Sequence, residues 1–157
     1  MRVGLGKDIH ILKKGYDLIL GGTKIPFKKG LVSYSDGDCL IHSIIDAILG
    51  ALSLGDIGQK FPDNDPKYKG ISSLTLLKET KKFIDESNYK ISNIDCFISC
   101  EKPKLKDYIN EMKINISDIL DINLDQISIK AGTNEKMGYI GRSKAIECES
   151  IVLLEDK

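Results

Sequence analysis

Apolar and polar residues alternate through residues 1–11, the period of an extended chain, so the sequence predicts a strand there. Asp8 and His10 then fall on the same side of it, because side chains along a strand point to opposite faces in turn. "DLILGGTKIPF" (17–27) reads as two short strands around a Gly-Gly turn, and "GLVSYSDGD" (30–38) as a loop running into a helix start. From Leu40 the period becomes helical, with Leu40, Ile41, Ile44, Ile45, Ile48, Leu49 and Leu52 forming one wide apolar stripe and Gly55 a stop. The stretch 55–70 is rich in Gly, Pro and Asp and reads as a loop. A second helix is predicted from about Ser73 to Glu86, with Leu74, Leu77 and Ile84 on one face. A strand follows over 91–100, with Ile94, Cys96, Ile98 and Cys100 facing one way and Asp95, Phe97 and Ser99 the other. A third helix runs from near Leu105 to Leu120. Residues 126–131 form a strand, 132–142 a glycine-punctuated loop and 145–155 a last strand. With no repeat and no linker, one α/β domain over 1–157 is the economical reading.

Composition narrows the class more than the chemistry. Apolar residues make up 41% of the 157, a globular fraction. Lys plus Arg and Asp plus Glu are each 23, so the net charge is zero, which excludes bulk attraction to nucleic acid or an anionic membrane but leaves room for a local anion site. Cys39, Cys96, Cys100 and Cys148 form no C-x-x-C pair and read as small buried side chains in a reducing compartment. The chain enters its strand pattern at once, with no signal or transit segment, and no apolar run is long enough to span a membrane. A soluble cytoplasmic protein is expected.

Candidate chemistry begins with the two histidines, His10 and His42. His42 lies at the flank of the helical stripe, with Asp38 and Asp46 one turn before and after it. Two imidazoles and a carboxylate are a standard three-ligand zinc set whose open fourth position makes such a site catalytic. Asp8, His10 and His42 supply that set, and Asp46 is placed to orient His42 from behind. The alternative is two unrelated histidines, since D-x-H alone is common. In "SDGD" (35–38), Ser35 or Asp36 serves as a helix cap, and the same helix start also offers N–H groups to an anion. "FPDNDP" (61–66) stiffens Asp63 and Asp65 between two prolines, as a polar turn or as a holder for ligand hydroxyls. "KAGTNEKMGYIGR" (130–142) sets Thr133, Glu135, Lys136 and Arg142 among three glycines. It is either a flexible hairpin loop or a phosphate cradle in which Glu135 holds a hard cation such as Mg²⁺. "CEKPK" (100–104) is a strand-edge device or a base- and phosphate-binding turn. Together these signals suggest a metal site with phosphate-binding loops. With both histidines used as ligands, no serine or cysteine triad is available, which favours chemistry in which substrate or water attacks while metals neutralise charge.

The ordered set "DIH" (8–10), "SDGD", His42, "SLGDIG" (53–58), "FPDNDP", "KP" (102–103) and "TNEKMGYIGR" (133–142) covers almost the whole chain. It resembles the 2-C-methyl-D-erythritol 2,4-cyclodiphosphate synthase family of the non-mevalonate isoprenoid pathway. The resemblance implies a homotrimer of α/β (α+β) subunits, each a mixed sheet with helices packed on one face, with active sites between neighbouring subunits. It implies a CDP-type substrate, 4-diphosphocytidyl-2-C-methyl-D-erythritol 2-phosphate, whose 2-phosphate attacks the β-phosphorus and expels CMP. Asp8, His10 and His42 would hold Zn²⁺ or another divalent transition metal, and Glu135 would hold Mg²⁺ or Mn²⁺. Asp56 and Gly58 resemble ribose contacts, Cys100, Pro103, Lys104 and Leu105 the cytosine turn, and Asp63 a contact to the methylerythritol hydroxyls. Ser35, Thr133 and Lys136 resemble phosphate contacts, Thr133 from the adjacent subunit. Tyr139 and Arg142 resemble residues beside an axial channel that in the family can hold an isoprenoid diphosphate. Two positions depart from the pattern: Tyr34 stands where a phosphate-contacting histidine is usual, and Gly132 where threonine is common.

Two other readings use the same residues. A metal-dependent phosphohydrolase would use the zinc and the acidic loops to direct water. A non-catalytic module would use zinc to hold the fold, although structural zinc sites are usually closed by four protein ligands and only three are evident.

Overall fold

The computed structural model describes all 157 residues. Strand β1 (Arg2–Lys13) leads into a two-stranded ribbon, β2 (Leu18–Leu20) and β3 (Thr23–Ile25), and then into β4 (Gly30–Leu31). Helices α1 (Cys39–Ala51), α2 (Ile57–Lys60) and α3 (Ser73–Asp85) follow. The second half runs β5 (Tyr89–Ser99), α4 (Ile109–Leu120), β6 (Ile127–Gly132), α5 (Gly138–Gly141) and β7 (Ala145–Asp156). The main sheet has the order β4-β1-β7-β5-β6. Strand β7 runs antiparallel to both β1 and β5, and β6 runs parallel to β5. A parallel pair needs a crossover, and α4 supplies it.

The alternation read in the sequence decides which face is covered. Ile94, Cys96 and Ile98 of β5, Ile146, Cys148, Val152 and Leu154 of β7, and Ile127 and Ile129 of β6 all point under the helices. They join a single cluster of 32 buried apolar residues. Helix α1 is the centre of that layer. Eleven of its 13 residues are buried, so it is enclosed on all sides rather than striped. His42 is therefore 8% exposed and buried, not at a half-open flank as the wheel suggested.

Two glycines set how closely α1 approaches the sheet. A Cβ at Gly4 would overlap the carbonyl oxygen of Ala47, and one at Gly6 that of Ser43. The helix backbone thus lies directly against β1, with no side chain between them. A buried carboxylate fixes the helix start. Asp38, not Ser35 or Asp36, is the cap. It accepts from Ile41 N at 3.1 Å and also from Gly21 N at 2.9 Å and Gly22 N at 2.7 Å, tying the β2–β3 turn to α1. Burial pushes its carboxyl up to about 6 against the pull of those three N–H groups.

Elsewhere the boundaries shift for local reasons. Leu105 and Tyr108 belong to a tighter turn ahead of α4, which starts at Ile109. The loop predicted over 132–142 contains the one-turn helix α5. No helix is long and apolar enough to cross a membrane. On the uncovered face of the sheet, Val3, Leu5 and Ile11 are each at least 64% exposed, with Ile9, Phe97 and Ile151 beside them in register. This is an apolar stripe of the kind monomeric proteins rarely leave bare.

The seating of α1 predicts opposite outcomes at two of its neighbouring glycines. Gly6→Ala is expected to cost about 3 kcal/mol by overpacking. Gly50→Ala, in α1 with only Leu5 O as a distant neighbour at 3.9 Å, should gain about 0.5–1 kcal/mol of helix propensity. Chemical denaturation of the two variants checks both signs.

Candidate active site

The close packing of α1 on β1 brings together residues 32 positions apart. Asp8 and His10 project from the helix-facing side of β1, and His42 reaches them from α1. His10 Nε2 lies 2.7 Å from Asp8 Oδ2, His42 Nδ1 lies 3.0 Å from the same oxygen, and the two nitrogens are 3.1 Å apart. The outer nitrogens are held as well. His10 Nδ1 donates to the Val32 carbonyl at 3.1 Å, which leaves Nε2 as a bare lone pair in the neutral ring. His42 Nε2 faces Ser73 Oγ at 2.9 Å and Ser35 Oγ at 3.1 Å.

This arrangement fits a divalent transition metal. Ligand atoms about 2.0–2.1 Å from a tetrahedral ion are about 3.3 Å from one another, close to the spacing of this triangle. One oxygen and two nitrogens that all offer electron pairs to a common point repel each other unless a cation or a proton sits among them. The three ligand atoms lie within 4.8 Å of one another. The open side of the triangle gives onto a cavity of about 440 Å³ walled by Tyr34, Ser35, Gly58, Phe61, Asp63 and Ile71, among others.

The charges follow from the same contacts. Burial opposes ionisation of Asp8, but hydrogen bonds and charge from His10 and His42 outweigh it and hold the carboxyl below its usual range. Burial likewise opposes a proton on His42, yet Asp8, with Asp38 and Asp36 behind it, raises the imidazole above its ordinary value. Without metal, the same contacts favour a proton on His42.

A second cavity, of about 400 Å³, lies at the ends of β5 and β6 and shares no wall with the first. Cys100, Pro103, Lys104, Leu105 and Thr133 line it, so the structure brings these five predicted residues together. Cys100 is buried, its thiol donating to Lys102 O at 3.2 Å and pushed up to about 12 by burial. Gly132 is explained by a neighbour: a Cβ there would come within 2.7 Å of Phe97 Cζ, so a threonine would need that ring to move.

Other predicted residues take places the sequence did not reveal. Asp46 makes no hydrogen bond to His42. Its carboxylate accepts from Ile57 N at 2.7 Å and fixes the start of α2. Asp56 caps the same helix through Gln59 N at 2.9 Å. Glu135 stands outside the three-ligand cluster and accepts from Thr133 Oγ1 at 2.9 Å. It and Lys136 hold left-handed backbone, at φ 49° and 63°. Tyr34 donates to Asp65 O at 3.3 Å, tying the metal-side wall to the 61–66 loop. Tyr139 lines an apolar cavity of about 610 Å³ with Ile9 and Ile11, whereas Arg142 caps α5 and is not among its walls.

Sequence reasoning gave no role to Glu101 and Ser73. Glu101 accepts from Asn134 N at 3.1 Å and Lys136 N at 3.4 Å, joining the 100–105 turn to the 133–137 loop. Ser73 stands at the start of α3 with its hydroxyl on His42. Glu101 lies within the "CEKPK" turn and Ser73 at the predicted start of the second helix, but neither position signals the partner it takes.

Comparison with known proteins gives a consistent result. The model of the YgbB family matches residues 1–155. The 2-C-methyl-D-erythritol 2,4-cyclodiphosphate synthase of Clostridium tetani is 55% identical over 154 residues, covering 98% of each chain. The same enzyme of Clostridium acetobutylicum is 53% identical, over 98% of this chain and 99% of that one. Among solved structures, a CDP complex of IspF from Plasmodium falciparum superposes with a TM-score of 0.88 at 42% identity, over 99% of this chain and 96% of that one. The bifunctional IspDF of Campylobacter jejuni gives 0.95 at 41% identity, this chain spanning 42% of that longer protein.

The triangle predicts a proton exchange on metal binding. In the metal-free protein the raised His42 contributes stability that is full below about pH 6.5 and drains as pH rises through its raised value. The lowered Asp8 contributes above about pH 3.8 and fails as pH falls through its own lowered value. A divalent metal bound by the three ligands would take the place of the His42 proton. Titration calorimetry in buffers of different ionisation enthalpy should show about one proton released per site near pH 6.5. That release should decline toward zero as pH rises past the His42 value.

Proposed function

The chain belongs to the YgbB family, and from that premise we propose that it converts 4-diphosphocytidyl-2-C-methyl-D-erythritol 2-phosphate into 2-C-methyl-D-erythritol 2,4-cyclodiphosphate and CMP. An oxygen of the 2-phosphate bonds to the β-phosphorus, the bond from that phosphorus to the CMP oxygen breaks, and CMP leaves with the electron pair. The observation that carries this reading is the Asp8–His10–His42 triangle opening onto a walled cavity, in a chain that matches these synthases end to end.

A bound divalent cation supplies charge neutralisation for phosphates that would otherwise repel each other. Imidazole and carboxylate ligands favour zinc at Asp8, His10 and His42, and a carboxylate without nitrogen ligands, as at Glu135, would favour Mg²⁺ or Mn²⁺. The chain's own groups do the positioning. The Ser35 hydroxyl beside His42 is placed to donate to a phosphate oxygen, and Thr133 and Lys136 offer a hydroxyl and an ammonium on the other side. The turn at 100–105 takes the cytosine. Asp56 and Gly58 face the ribose, and Asp63 the methylerythritol hydroxyls. No general base is needed, because the attacking phosphate is already ionised. Fixing the 2-phosphate beside the β-phosphorus would favour it over water as the attacking group.

The nucleotide-type cavity and the metal-side cavity share no residue, and the bare sheet face carries Val3, Leu5, Ile9 and Ile11. Both facts support a homotrimer in which one copy's 100–105 turn and Thr133 complete the metal side of its neighbour. The apolar cavity at Tyr139 would then lie toward the axis as a site for an isoprenoid diphosphate. Four buried thiols support a reducing, cytoplasmic setting.

Phosphorus NMR of the purified protein with substrate and Mg²⁺ should show the cyclic diphosphate and CMP rising together, and neither after chelation. Inorganic phosphate or a linear product would instead establish a hydrolase. His42→Ala should keep its fold and lose more than about a hundredfold of activity. Sedimentation should give three copies for the native chain, and Leu5→Glu should shift it toward monomer with activity lost in parallel.

A further inference from the structure

The sequence pointed to Asp46 as the group that orients His42, but the structure gives that position to another pair. We propose that Asp36 and Ser73 are positioning residues that set the tautomer of His42 and so hold its Nδ1 open for the metal. The inference rests on the metal site proposed above and adds residues to it.

Counting hydrogens decides the direction of each bond. The Asp36 carboxylate is surrounded by donors. Its Oδ2 accepts from Ser73 N at 2.8 Å, and its Oδ1 accepts from Asp38 N at 3.1 Å and from the Ser73 hydroxyl. An ionised carboxylate has no hydrogen to return, so the single hydroxyl hydrogen of Ser73 goes to Asp36. Ser73 Oγ then presents only lone pairs to His42 Nε2, 2.9 Å away, and Nε2 must be the nitrogen that carries hydrogen. In the neutral ring this leaves Nδ1 bare and aimed at Asp8 Oδ2 and His10 Nε2. The opposite tautomer would put a hydrogen into the space the ion needs.

The device is rigid. Ser73 is fully buried as the first residue of α3. Asp36 is anchored through its own N–H to Ile71 O at 3.1 Å. Ser35, the other hydroxyl at Nε2, lines the open cavity and has only long contacts besides, to Ser33 Oγ at 3.2 Å and from Gly37 N at 3.3 Å, so it can turn to a substrate while Ser73 stays. Partners behind a ligating histidine commonly change metal affinity ten- to a hundredfold, by about that factor when removed.

The test uses the whole chain, first without metal. Long-range proton–nitrogen NMR at alkaline pH should report the Nε2–H tautomer at His42 in the native protein. Nδ1–H there would overturn the proposal whatever any variant does. Ser73→Ala should convert His42 to a mixture with Nδ1–H, leave His10 unchanged, and weaken zinc by about ten- to a hundredfold in chelator competition. It should also alter the visible spectrum of the cobalt-substituted site. A folded Ser73→Ala protein that keeps the native tautomer and binds zinc within twofold of the native chain would mean that Asp36 and Ser73 merely fasten α3. If native protein binds no zinc, the metal reading fails by itself, and the native tautomer still decides the role of Ser73.

Discussion

Helix α1 rests on β1 backbone to backbone, and the rest of the molecule depends on that contact. Gly4 and Gly6 leave no side chain in the way, so the carbonyls of Ala47 and Ser43 occupy the space where a Cβ would be. A helix normally stands off a sheet by the layer of side chains interleaved between them. Removing one layer draws His42 down to the level of the β1 side chains. Ligands from a strand and a helix can then approach within about 3 Å of one another. Asp38 secures the same geometry from the helix end by tying its first turn to the Gly21–Gly22 bend. Metal ligation and core packing are therefore one constraint in this protein: a change that lifts α1 also opens the triangle.

The two faces of β1 divide the work in an unusual way. Facing the helices are two glycines, an aspartate, a histidine and Leu12, so the interior side of the strand carries the chemistry. Facing out are Val3, Leu5, Ile9 and Ile11. An isolated chain would expose its most β-prone residues to water, and an assembly that covers them would place the second cavity of one copy within reach of the metal side of another. In the proposed trimer this stripe would be the covered face, and covering it would explain a substrate site divided between two cavities.

Departures from the family pattern are absorbed by neighbours rather than left as gaps. Gly132 goes with Phe97, whose ring fills the space a larger residue would claim. Tyr34 goes with Asp65, whose carbonyl receives its hydroxyl and ties the 61–66 loop to the cavity wall. Glu101 binds the N–H groups of a loop whose backbone is left-handed at two non-glycine positions, Glu135 and Lys136, which helps explain how that conformation is held.

Much of this was legible in order along the chain. Period two and period 3.6 marked the long strands and the three main helices within a few residues, because burial on one face repeats with the geometry of the element itself. The pairing of Asp8 with His10 followed from strand alternation alone, and the economy of two histidines pointed to His42. What the sequence could not supply were relations between segments that share no period. The cap fell to Asp38 rather than Ser35 or Asp36 because the Gly21–Gly22 turn also needed an acceptor. His42 went to Ser73 and Asp36 rather than Asp46 because α3 starts against the 33–36 loop, while Asp46 was taken by the first turn of α2. Local pattern determines which residues face the interior. Which of those meet is decided only when the helices dock, since hydrogen-bond partners 11 to 37 positions apart are set by three-dimensional distance and not by spacing along the chain.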